Sequence, residues 1–244
     1  MKKSRVIFTI MILVLILASF VLAKVFSDLK KEKRIENEIK EVVRVLGTEN
    51  IDDDDVNAIL ERRIFSKGNY HIVEDALKNY YKDLYNYQKN IAFLMDDDNF
   101  ITYLSSKNIV EDGPTFTKSI SNLQTNKSQL ADKYNEFEKQ LKDESTQISY
   151  IFDKNVDSYY KKYYLECISE YTPSSLETDI KDKYEETLKK IDLYNEAFAF
   201  LTANEAHWRI TDDVITFDDT TLYEGYKAIT DKIDKMKQSN QQTS

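Results

Sequence analysis

The chain has 244 residues, with 34 basic and 43 acidic side chains for a formal net charge of −9, and only four Gly, two Pro and one Cys. The acid excess argues against a nucleic-acid partner, which needs a basic footprint. A single cysteine, Cys167, leaves no intrachain disulfide, and the scarcity of Gly and Pro points to helices rather than to sheets joined by tight turns.

The first 24 residues set the placement of the rest. A basic start, residues 1–5, precedes the uncharged run Val6–Ala23, and Lys24 closes it. As a helix the run reaches about 27 Å, close to the hydrocarbon thickness of a bilayer. Two readings compete for it. A cleavable signal would end at Val21-Leu22-Ala23, a small-x-small site with the cut after Ala23. An uncleaved transmembrane anchor is favoured, because no Gly or Pro interrupts the helix before Ala23 and the apolar pattern continues through Val25, Phe26 and Leu29. The basic start favours a cytoplasmic N-terminus and a body outside the membrane. Lys30, Lys31, Lys33 and Arg34 on the other side leave the opposite topology as the alternative.

Beyond Lys24 the body is acidic, with a formal charge of −13 over residues 25–244. Residues 24–50 read as a juxtamembrane helix or stalk, with Ile35, Ile39, Val42, Val43 and Leu46 on one stripe and Gly47 as its stop. A helical bundle is expected over 51–237. Asp52–Asp55 lacks the calcium-loop pattern and reads as the N-terminal turn of a helix. Tyr70–Met95 forms a wide apolar and aromatic stripe. Gly113-Pro114 is the sharpest break, and a helix is expected to begin at the proline. From there Phe116, Ile120, Leu123, Lys127, Leu130, Tyr134, Phe137 and Leu141 step alternately by four and three, a coiled-coil-like seam with Lys127 as its polar intruder. Its partner is expected to be another helix of this chain, with a second copy as the alternative. A buried Lys127 would fix the register of that pair. The seam either continues past Ile148 or kinks near 143–146.

Tyr159, Tyr160, Tyr163, Tyr164 and Tyr171 crowd the next helix, where half-buried packing outweighs a binding role. Pro173 ends it, and Ser174 with Glu177 forms a capping box for a helix to about Glu205. Trp208-Arg209-Ile210 and Val214-Ile215-Thr216-Phe217 then read as a small β-hairpin about Thr211-Asp212-Asp213. A last helix starts near Thr221, and residues 238–244 form a polar tail, expected to be disordered.

No pattern carries catalysis. His71 and His207 are the only histidines and stand in no zinc spacing; there is no phosphate-cradling Gly loop and no nucleophile elbow. No enzyme, cofactor or metal is expected. The candidate interaction surface is His207, Trp208, Asp212 and Asp213 at the hairpin, with Tyr159 and Tyr163 as a second patch. The layout is similar to that of many bacterial envelope proteins. The expectation is an all-α protein: an N-terminal transmembrane helix, then an elongated antiparallel bundle with a minor hairpin. It would be held in the membrane by Val6–Ala23 and would bind a protein partner, scaffold a complex or self-associate. The alternatives are a secreted ligand-binding or toxin-like module cut at Ala23, and a scaffold tethered on the cytoplasmic face.

Overall fold

A computed structural model describes residues 2–47 and 53–242, and the side chains of 14–47 and 53–236. The described chain is mostly helical, with one two-stranded antiparallel hairpin near the C-terminus. In order it runs α1 (Lys2–Leu46), α2 (Asp53–Glu61), α3 (Asn69–Met95), α4 (Ser106–Asp112), α5 (Thr117–Lys142), α6 (Glu144–Phe152), α7 (Ser158–Tyr171), α8 (Ser174–Ala203), β1 (Trp208–Thr211), β2 (Val214–Phe217) and α9 (Thr220–Gln242).

The expected anchor falls within α1. Side chains 6–13 of Val6–Ala23 lie outside the described residues, and among those described no helix is long and apolar enough to cross a membrane. The expected transmembrane α1 is therefore unsupported by the described residues. Asp52, in the acidic run before α2, also lies outside it, as do the side chains of the polar tail; α9 itself continues to Gln242.

Two compact units share the chain. The first comprises Met1–Asp83 and Glu144–Pro173; the second comprises Leu84–Asp143 and Ser174–Ser244. The first is built on the stripe Ile35, Ile39 and Val42 of α1, which is buried with Val56 and Leu60 of α2, Val73, Leu77, Tyr80 and Tyr81 of α3, Ile151 of α6 and Tyr164, Cys167 and Ile168 of α7. Gly47 closes α1, its N–H bonding the Val43 carbonyl at 3.0 Å. An ion cluster lies inside this apolar shell. Lys78 Nζ reaches Glu38 at 2.8 Å and Glu74 at 3.0 Å and donates to the Arg62 carbonyl. Arg62 in turn holds Glu38 at 2.6 Å, and Glu74 accepts the N–H groups of Ile64 and Phe65 at 2.8 and 2.9 Å. The helix-free segment after α2 is thus fastened by charges on α1 and α3.

In the second unit α5 lies antiparallel on α8. The pairs descend in step: Phe116 on Phe198, Lys127 with Asp192, Tyr134 on Tyr184, Lys142 with Glu177. The alternating seam of α5 therefore finds its partner within the chain, and Leu123, Leu130 and Phe137 are fully buried along it. Lys127 is not the buried intruder expected. Its side chain keeps 40% exposure and reaches outward to Asp192 at 2.7 Å, because a long lysine can lift its ammonium from a seam edge into water. The seam also stops at Lys142: Asp143 leaves helical geometry at ψ 108, and α6 belongs to the first unit. Its start differs too. The helix begins at Thr117 rather than at Pro114, after Phe116 adopts left-handed geometry at φ 51. The Asp112 carboxylate caps it, accepting the N–H groups of Lys118 and Ser119 at 3.1 and 2.7 Å.

Candidate functional site

The hairpin is built by alternation. Trp208 pairs with Phe217 and Ile210 with Ile215, so these four side chains share one face, which packs on the core of the second unit. Asp212 and Asp213 have φ 51 and 62. Two left-handed residues make a type I′ turn, whose twist suits a two-residue hairpin. Asp218 closes the base, its N–H bonding the His207 carbonyl at 3.1 Å while its carboxylate lies 3.2 Å from His207 Nδ1. Asp219 accepts the N–H groups of Thr221 and Leu222 and so caps α9; these bonds hold its carboxyl below the usual range.

Trp208 is fixed from two sides. Its Nε1 donates to the Leu201 carbonyl at 2.7 Å, and its ring stacks on Phe116 at 6.4 Å. One edge of the indole stays open and lines a cavity of about 600 Å³ together with Ile109, Val110, Gly113, Pro114, Glu205 and Ile210. This cavity is shaped by two backbone constraints. A Cβ on Gly113 would stand 2.4 Å from the Ile109 carbonyl oxygen, so only glycine fits. Phe116 holds a left-handed conformation that costs an ordinary residue about 1–2 kcal/mol. Its full burial against Phe198 at 4.7 Å offsets that strain.

Tyr159 and Tyr163 belong to the first unit. Tyr163 is buried and its hydroxyl donates to the Glu32 backbone carbonyl at 3.0 Å; desolvation pushes its phenol far up. Tyr159 is about half exposed and its hydroxyl donates to the Glu32 carboxylate, which also accepts from Tyr70 at 2.9 Å. The bond to Glu32, with burial added, raises the Tyr159 phenol to about 12. Both tyrosines thus serve packing between α1 and α7 first. Cys167 is buried, and desolvation raises its thiol to about 12, the opposite of what an activated nucleophile requires. Among the described residues no group of three His, Cys, Asp or Glu side chains is placed to hold a metal ion.

The sequence reading missed α4 and Gly113-Pro114 as one wall of the Trp208 cavity. The signal was present in that break, read only as the start of a helix. No protein family, no curated protein and no solved structure matches the chain.

Proposed function

We propose that the protein is a non-enzymatic, membrane-tethered helical module of a bacterial envelope, whose body stands outside the membrane and engages a protein partner. One observation carries this reading. α1 is one unbroken helix whose first described turns are apolar and open on all sides, with Leu15 64% exposed, Phe20 71% and Phe26 69%. The same helix then turns amphipathic and buries Ile35, Ile39 and Val42 in the first unit. An apolar surface of this length needs a cover. A bilayer supplies one for a helix that is hydrophobic all round. The helix passes through Ala23 and Lys24 without a break, which supports an uncleaved anchor over a processed signal.

Cell fractionation tests this. The unprocessed chain, verified by intact mass, is expected in the membrane fraction after alkaline washing, with its body digested by protease added to intact cells. A chain beginning at Lys24 in the medium would overturn the tether, and a body protected from the protease would place it on the cytoplasmic side.

A further inference from the structure

We infer that the Trp208 cavity of the second unit is a docking groove for a basic segment of a partner protein that inserts an apolar side chain. This rests on the reading of the body as a partner-binding module and names the chemistry of the partner. Three observations converge on it. The groove is apolar and open: Val110 on its wall is 66% exposed, beside the free edge of Trp208 and the ring of Pro114. Its back wall is built on constrained backbone: Gly113 leaves no room for a side chain, and Phe116 holds left-handed geometry behind the indole. Strained backbone that the surrounding packing enforces collects at binding sites.

The third observation is charge. The two stretches that build the groove, 106–114 and 205–214, carry Glu111, Asp112, Glu205, Asp212 and Asp213 against Lys107 and Arg209. Glu205 lines the cavity itself. An apolar floor with the Glu205 carboxylate in its lining selects a segment with lysines or arginines flanking a leucine or aromatic anchor. An acidic segment would meet repulsion, and a purely basic one would leave the floor wet.

Trp208 is the only tryptophan of the chain, so occupancy of the groove reads directly in its emission. The full-length chain in nonionic detergent is titrated with a synthetic peptide of about twelve residues, Lys and Leu at helical spacing, free of aromatic residues. The Lys/Leu peptide is expected to give a saturable shift of Trp208 emission. A Glu/Leu peptide of the same spacing and a Lys/Ser peptide are expected to give none. Val110→Asp, a change at an exposed position, is expected to weaken the Lys/Leu complex about tenfold or more. Equal affinity in V110D, or an unchanged Trp208 spectrum with the Lys/Leu peptide, overturns the inference. An emission that moves with protein concentration alone also overturns it, by giving the groove to a second copy of the chain. The titration does not depend on the tether: a chain found free in the medium removes the membrane and leaves this result standing, while a failed titration leaves the fractionation result standing.

Discussion

Glu38 sits 7% exposed between two cations, and its protonation decides whether they stay paired. Burial opposes its charge, but hydrogen bonds from Arg62 and Lys78 outweigh the burial and bring its pKa below the ordinary 4.5. A lowered folded pKa stabilises the fold above the unfolded value, and that contribution is lost as pH falls through the lowered one. Acid titration of stability by urea unfolding is therefore expected to show a loss that sets in as pH falls below the ordinary 4.5 and continues to the lowered folded value. Glu38→Gln should start less stable at neutral pH and lose less across that window. Parallel acid limbs in the two proteins would assign the loss to other carboxylates. This cluster was not legible beforehand. Glu74 and Lys78 stand four apart on α3, a spacing that usually marks a solvated pair. Only the approach of α1 and the 62–65 segment turns that pair inward.

At the scale of elements, the hairpin stores its main local cost in its turn. Asp212 and Asp213 both hold positive φ, which glycine adopts freely and aspartate does not. Asp213→Gly is expected to raise the thermal midpoint, with a gain on the order of 0.5–1 kcal/mol. An unchanged or lower midpoint would show that the weak Ser106–Asp213 contact at 3.4 Å outweighs the turn. The strands themselves were legible as runs of β-branched and aromatic residues, and so were the spans of α3 and α8 and the stripe of α5, which repeat at helical spacing. The start of α5 was not, and its end was one of two options, a break near 143–146 or continuation. Proline at a helix start is a frequent device, yet here the left-handed Phe116 and the capping Asp112 move that start three residues on. The pattern past Lys142 kept its phase, so periodicity alone gave no sign that Ile151 would be buried in the other unit.

Over the whole molecule, each unit carries its own natural reporter: Cys167 in the first and Trp208 in the second. Lys78→Met strips the ammonium from Glu38 and Glu74; Arg62 still pairs with Glu38, but Glu74 keeps only its two backbone N–H donors, and removing one partner of a buried ion pair costs about 3–5 kcal/mol. In urea, the midpoint for Cys167 reaction with a thiol reagent is expected to fall sharply in this variant, and the midpoint of Trp208 emission far less. Equal shifts of the two midpoints would show a single cooperative transition. Of the six residues of the sequence-derived candidate surface, Trp208 lines a cavity, while Tyr159 and Tyr163 are engaged by Glu32. Side-chain type marked all of them alike; only the depth of each ring in its own unit separates them.

The interleaving of the units also sets a schedule for biosynthesis. After Asp83 is made, the first unit still lacks α6 and α7, which arrive only when Pro173 has been added. At about 5–20 residues per second that interval is on the order of ten seconds. Throughout it, the stripes of α1 and α3 face water on a growing chain. A nascent protein held open that long exposes apolar surface well after its first helices are made, which makes early chain release or a stall in that interval a route to aggregation.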